Sequence, residues 1–312
     1  MKALVTGSAG FVGRHLIAHL VASGDTVVGI DREDGVDLND AAAVATAVAA
    51  AAPDVVYHLG GWSDVGASWE HPGAAFEVNA IGTLNLLQAC VAHGSPRVLA
   101  VSSADVYGRV QPDDLPIAET TELRPVTPYA ASKAAAEDVA LQAWLGYGLE
   151  TLRVRAFNHL GPGQSTVFVA PALAERIAAN ERDGSDEVPV GNLTPRRDIT
   201  DVRDVVRAYR LLMEHGVPGD VYNVCSGVDL SIEELATELI GLASHPMRLC
   251  PDPSLQRSIE TPVLRGDNAK LRAATGWAPE HALETTLLDV LTEQRARLDV
   301  ALDATGRGPE AS

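Results

Sequence analysis

Cysteine is scarce in this chain: Cys90, Cys225 and Cys250 are the only three among 312 residues. An odd number at wide spacing, with no CxxC pair, argues against a disulfide framework, a zinc site or a redox motif. Three reduced, mostly buried thiols and no metal site are expected. Positive charge is also short. Lys and Arg total 24 against 42 Asp and Glu, a formal net charge of −18. So acidic a chain is ill suited to neutralising nucleic-acid phosphates or to lying on an anionic membrane. Any phosphate-bearing ligand must be held locally, by a helix N-terminus and a few placed arginines. Long apolar runs are missing as well. No stretch of 18 consecutive apolar residues suggests a membrane span. The apolar start Ala3–Val5 runs straight into Thr6-Gly7, unlike a secretory signal. A cytoplasmic protein is the expectation. Aromatics are few, at 4%, while 46% hydrophobic and 21% charged residues read as an ordinary globular composition, large enough for one big domain or two small ones.

What is present is an alternation. Lys2–Thr6, Thr26–Ile30, Asp54–Leu59 and Arg97–Ser102 are short, β-branched and bounded by turn residues, as buried strands are. Helix-like stretches lie between them at Val12–Ala22, Asn39–Ala52, Ala75–His93 and Tyr129–Tyr147, and Leu149–Phe157 adds a strand. Strands alternating with helices imply parallel pairing with right-handed crossovers, hence an α/β doubly wound sheet of Rossmann type. The character changes at the turn cluster Gly161–Gln164. Beyond it, Pro171–Asn180 reads as helix, Glu187–Val190 and Val221–Val224 as strands. Ser231–Leu242 reads as a helix whose Ser231 and Glu234 form a capping box. The expected division is a dinucleotide-binding domain over 1–161, to which 197–227 returns. A smaller C-terminal α/β substrate domain takes 162–196 and 228–303, and 304–312 is a disordered tail.

Thr6-Gly7-Ser8-Ala9-Gly10-Phe11-Val12-Gly13 joins the first strand to the first helix. Gly7 permits the tight turn, Gly10 the approach of a pyrophosphate, and Gly13 the packing of helix on strand. Phe11 and Val12 open a helix whose N–H groups and dipole favour an anion. The GxxGxxG spacing is weak evidence alone, but its strand–turn–helix setting points to dinucleotide binding. Asp31 follows the second strand, where a carboxylate meets the adenosine ribose hydroxyls and repels a 2′-phosphate. That favours NAD; the neighbouring Arg32 partly compensates, which leaves NADP possible. The bland alternative is that Asp31 is a turn residue.

Tyr129 and Lys133 are four apart at a helix start, so their side chains share one face. An ammonium beside a phenol favours the phenolate and lowers its pKa. The pair reads as a general acid/base for a hydroxyl during hydride transfer. Ser103 ends the fourth strand, where ligands bind in such sheets, and its hydroxyl is placed to hydrogen-bond the reacting oxygen.

In this order the segments TGSAGFVG, HLGG (58–61), VSSADVYG (101–108), TPYAASK (127–133) and RAFNHLGPG (155–163) resemble the extended short-chain dehydrogenase/reductases, the NAD-dependent epimerase/dehydratase family, which act on nucleotide sugars. The resemblance implies that Ser103, Tyr129 and Lys133 are catalytic. It puts Lys133 also on the nicotinamide ribose. Asp37 and Leu38 fall near adenine, Leu59, Gly60 and Gly61 along the pyrophosphate and ribose, and Phe157 by nicotinamide. Dehydratases of the family carry an acid where Asp105 stands, but this chain has Ala104 where some of them have Asp. Asp105 is therefore a further catalytic candidate or a turn cap. VGNL (190–193), RRDITDVRDVV (196–206), GDVYNVCSG (219–227) and GDNAKL (266–271) resemble GDP-4-keto-6-deoxy-D-mannose reductases and, in part, GDP-mannose dehydratases. That likeness implies diphosphate binding by Asn158, Arg197 and Arg257. It places Val169, Val190, Asn192 and Glu260 around the base and ribose.

The leading expectation is therefore reduction of the C4 keto group of a GDP-4-keto-6-deoxyhexose. Because Asp31 leans toward NAD, an NAD-retaining C4 epimerase of a UDP- or GDP-sugar is the alternative, with a 4,6-dehydratase after it. A non-catalytic NAD sensor on the same fold is a third reading, disfavoured by the intact Tyr/Lys pair. Apolar residues beyond one stripe (Leu84, Leu87, Val91; Ala135, Val139, Leu145) on two helices that pair across a two-fold axis in the resembling family lead to the expectation of a homodimer.

Overall fold

A computed structural model describes residues 1–255 and 261–305. Six parallel strands form the main sheet, in the spatial order Thr26–Ile30, Lys2–Thr6, Val55–His58, Arg97–Ser103, Thr151–Ala156, Val221–Val224. The order reverses next to Lys2–Thr6, so the carboxyl ends of that strand and of Val55–His58 open on a switch point where such sheets bind ligands. Helices cover both faces. On one side Phe11–Ala22 and Val202–His215 bury Leu16, Leu20, Val205, Tyr209 and Leu212 against Val5, Leu99 and Val154. On the other, Val44, Val48, Leu86, Leu87, Cys90 and Ala140 pack on Leu4, Val56 and Val98. Side chains of period 2 on the strands thus feed both layers, which is why these runs read as continuously apolar.

Element ends lie within three residues of the sequence reading. The helix around Ala75–His93 begins at Pro72, which sits at its first turn, and runs to Ala92 with a π turn at Glu77–Ile81. This 21-residue helix reaches a mean hydropathy of 1.2 over 18 residues, the length and apolarity of a membrane span, although no unbroken apolar run exists; half of that window is buried inside the protein. Leu87, expected on an outer face, is in the core, 2% exposed. Leu145 is exposed as expected, at 73%, and Phe76, Ile81 and Tyr147 join it on the outside of these helices, with Trp69 just before the first of them.

A second, smaller sheet is built on Arg196–Asp201. It runs parallel to Asn158–Leu160 and Val263–Leu264, and antiparallel to Asp229–Ser231. The chain therefore returns to the main sheet with the helix Val202–His215, not at 197. A third core joins the helices Val169–Asp183, Ile232–Gly241 and Leu283–Thr305 through Leu173, Ile177, Leu235, Leu239, Leu287 and Leu291. The capping box of Ser231 and Glu234 is formed. The last helix extends to Thr305, two residues into the expected tail; 306–312 lie outside the described residues. Cys90, Cys225 and Cys250 are free, the first two buried.

Candidate active site

A cleft of about 1060 Å³ runs between the main sheet and the smaller layer. Every candidate residue among those described lines it. At one end lie Gly7, Gly10, Phe11, Val12 and Gly13, with Asp31, Arg32, Asp37, Leu38, Leu59, Gly60 and Gly61. At the middle are Ser103, Asp105, Tyr129, Lys133 and Phe157, and beyond them Asn158, Val169, Val190, Asn192 and Arg197. Arg257 and Glu260 lie outside the described residues.

The glycine loop fits a dinucleotide diphosphate. Gly10 caps the first helix without a side-chain hydrogen bond, and no acidic residue stands in its first turn, so the positive helix end is uncompensated. A Cβ on Gly13 would sit 2.1 Å from the Gly7 carbonyl oxygen; only glycine lets helix and loop close on each other here. Asp31 accepts the Ala9 N–H at 3.2 Å, which holds its carboxylate on the loop's own backbone while it lines the cleft. These donors suit the diphosphate and adenosine ribose of NAD(P), whose bound nicotinamide supplies hydride chemistry.

Thr127 caps the helix Pro128–Tyr147 by accepting the Ala130 N–H at 3.0 Å, with Pro128 in the first turn. This start fixes Tyr129 and Lys133 in the first two turns, each 8% exposed. Ser103 caps the short turn Ala104–Tyr107 by accepting the Asp105 N–H at 3.2 Å, so serine and carboxylate enter the cleft together. Burial raises the Tyr129 pKa, the Asp105 carboxylate raises it further, and a hydrogen bond from Ser103 works the other way. This corrects the sequence expectation: the lysine is not what dominates the phenol. Lys133 Nζ donates to the Val101 carbonyl at 3.1 Å, and its own pKa is pushed down to about 8 by burial.

The far wall is also ordered by local bonds. Arg197 Nη1 donates to the carbonyls of Arg196 and Thr261, both at 2.8 Å. Asn192 Oδ1 accepts the Thr194 N–H at 3.1 Å, an Asx turn that shapes the strand end. Phe11 stacks on His159, ring centroids 6.1 Å apart, which ties the phosphate loop to the segment after the fifth strand.

Sequence reasoning passed over several residues here. Asn79 is 1% exposed. It accepts the Trp62 N–H at 2.8 Å and donates to Ser132 Oγ at 2.8 Å. An asparagine on the buried side of an apolar helix was the available signal. His58 opens the HLGG segment, in which the resemblance gives roles only to Leu59, Gly60 and Gly61. Gln164 donates to the His159 carbonyl at 3.0 Å and lines the cleft.

Comparison with known proteins agrees with this geometry. The model of the NAD dependent epimerase/dehydratase family matches residues 3–225. A GDP-6-deoxy-D-mannose reductase of Pseudomonas aeruginosa is 38% identical over 299 residues, 95% of this chain and 98% of that protein. The structure of RMD from Pseudomonas aeruginosa complexed with NADPH superposes with a TM-score of 0.88 at 38% identity, covering 95% of this chain and 100% of that one. A Thermus thermophilus UDP-glucose 4-epimerase in complex with NAD gives a TM-score of 0.85 at 30% identity, covering 95% and 99%. The chain belongs to the NAD-dependent epimerase/dehydratase family.

Proposed function

We propose that this enzyme reduces the C4 keto group of a GDP-4-keto-6-deoxyhexose with NADPH or NADH. The observation that carries the proposal is the 38% identity to a GDP-6-deoxy-D-mannose reductase across 95% of the chain, the substrate side of the cleft included. In this reading Tyr129 delivers its proton to the C4 oxygen while the carbon accepts hydride, leaving an alcohol and the oxidised cofactor. Burial suits Tyr129 to the acid's part, because at neutral pH it holds its proton until an alkoxide develops. Ser103 donates a hydrogen bond to the same oxygen. Lys133 holds the cofactor ribose and supports Tyr129. Asn158 and Arg197, with Arg257, take the diphosphate. Val169, Val190 and Asn192, with Glu260, surround the base and ribose. Residues 1–161 then hold the cofactor and the smaller layer holds the sugar nucleotide.

Asp31 favours a second reading. Its carboxylate beside the glycine loop suits NAD over NADP, as a C4 epimerase that retains NAD would need. One experiment separates the two. GDP-4-keto-6-deoxymannose is incubated with NADPH or NADH, absorbance is followed at 340 nm, and products are identified by NMR. Reduction consumes one reduced cofactor per sugar. Interconversion of two nucleotide sugars without added NAD(P)H sinks the reductase reading.

The same reading takes the protein as a cytoplasmic homodimer. The free cysteines suit a reducing compartment. The exposed Phe76, Ile81, Leu145 and Tyr147 give the helices Pro72–Ala92 and Pro128–Tyr147 an apolar outer face for a second copy, with Trp69 just ahead of the first helix.

A further inference from the structure

One buried titratable group takes no part in the chemistry above. His58 ends its strand 4% exposed, with both ring nitrogens hydrogen-bonded: Nδ1 lies 2.8 Å from Thr6 Oγ1 and Nε2 2.9 Å from Thr83 Oγ1. The partners decide the direction of each bond. Thr83 gives its hydroxyl proton to the Asn79 carbonyl oxygen at 2.5 Å, an acceptor with no hydrogen to return. Thr83 Oγ1 must then accept from His58 Nε2–H. With Nε2 carrying the proton of a neutral ring, Nδ1 is the lone pair, and Thr6 Oγ1, which accepts the Gly60 N–H at 2.9 Å, has its own proton to give to Nδ1. One tautomer satisfies all five groups. A second ring proton would leave the Thr6 hydroxyl hydrogen without Nδ1 as its acceptor, and burial together with the Lys133 ammonium pushes the His58 pKa down to about 3.

These bonds join two halves of the site. Thr6 and Gly60 belong to the phosphate-binding end. Asn79 lies in the π turn Glu77–Ile81, and its side chain reaches Ser132 Oγ, which donates to the Tyr129 carbonyl at 2.7 Å. Gly61 sits between them: a Cβ there would stand 2.6 Å from Asn79 Oδ1 and 3.2 Å from Lys133 Nζ. The amide oxygen and the ammonium thus meet beside the same backbone atom.

We propose that His58 is a positioning residue, a neutral Nε2-protonated ring that ties the phosphate loop to the turn carrying Asn79 and through it sets Tyr129 and Lys133. The kinetic part of its test rests on the reductase reading; the spectroscopic part does not. In wild-type protein with ¹⁵N-labelled histidine, the His58 signals, identified by their loss in His58→Asn, should report Nε2–H and stay unchanged from pH 5 to 9. Asparagine retains a polar group near the Nδ1 position and glutamine near Nε2, so the two variants cut different arms. His58→Asn should leave the KM for NADPH within about threefold and lower kcat by about 10- to 100-fold, the scale of an ångström-sized misplacement. Its alkaline limb should rise above the wild-type position as Lys133 is loosened. His58→Gln should mainly raise the NADPH KM. A His58 that titrates between pH 5 and 8 overturns the proposal. So do variants in which KM and kcat change together in proportion to lost stability. If wild type reduces no 4-keto sugar, the function fails, and the NMR signals with NADPH binding by fluorescence still decide the role of His58.

Discussion

Lys133→Met is expected to stabilise the protein freed of nucleotide while abolishing turnover. Burial moves the Lys133 pKa from 10.5 to about 8, a shift that means the ammonium is less welcome in the folded than in the unfolded chain. At about 1.4 kcal/mol per pH unit, the penalty is about 3 kcal/mol. The sign follows from proton binding. Between the folded and unfolded pKa values the unfolded chain holds a proton that the folded one has lost, so wild-type stability rises with pH through that window. Below it the full penalty applies; above it none remains. Methionine has similar length and no charge, and it forfeits the bond to the Val101 carbonyl, worth about 1 kcal/mol. The variant should therefore be about 2 kcal/mol more stable at pH 7 and about 1 kcal/mol less stable above pH 10.5. Urea unfolding of both proteins at unit steps from pH 6 to 11 measures the crossing. A variant less stable than wild type at pH 7, or a difference that does not vary with pH, refutes the reasoning that Lys133 is held as a strained cation.

Tyr129→Phe should lower kcat by about 10²- to 10⁴-fold, the usual weight of a general acid, with the melting temperature and NADPH affinity almost unchanged; stopped-flow absorbance and a thermal melt check both. Asp31→Asn should shift the ratio of kcat/KM toward NADPH over NADH, because it removes the charge that repels a 2′-phosphate while keeping an acceptor for Ala9; steady-state assays with both cofactors read it. Glu137 and Arg155 form a buried ion pair behind the site, with side chains 2% and 6% exposed. Glu137→Gln should cost about 3–5 kcal/mol in chemical unfolding, while Glu137→Leu with Arg155→Met recovers most of it. Leu145→Glu, at a position 73% exposed, should leave folding intact and convert a dimer to monomer in sedimentation velocity.

The parts of this protein that could be read from residues alone are those written in local spacing. The glycine loop depends on a turn and a helix start within eight residues. Tyr129 and Lys133 share a face because four residues make about one helical turn. Thr127 and Pro128 begin that helix by satisfying or removing its first donors. The parallel sheet announced itself through apolar runs broken by helical periods. What pairs at long range carried no such mark. Arg196–Asp201 is a charged strand, and nothing near it in sequence tells that it lies beside Asn158–Leu160. The acidity of Tyr129 is set by burial and by Asp105 on another element, against the local expectation drawn from Lys133. His58 and Asn79 look unremarkable one by one. Their meaning comes from Thr6, Thr83 and Ser132, up to 53 residues away. Sequence determined the cofactor loop, the acid/base pair and the class of sheet, because helix and turn geometry act over a few residues. Only the tertiary structure decided how deeply Tyr129 and Lys133 are buried, which groups His58 meets and which strands line the cleft, because desolvation and hydrogen-bond partners are supplied by whatever the fold brings near.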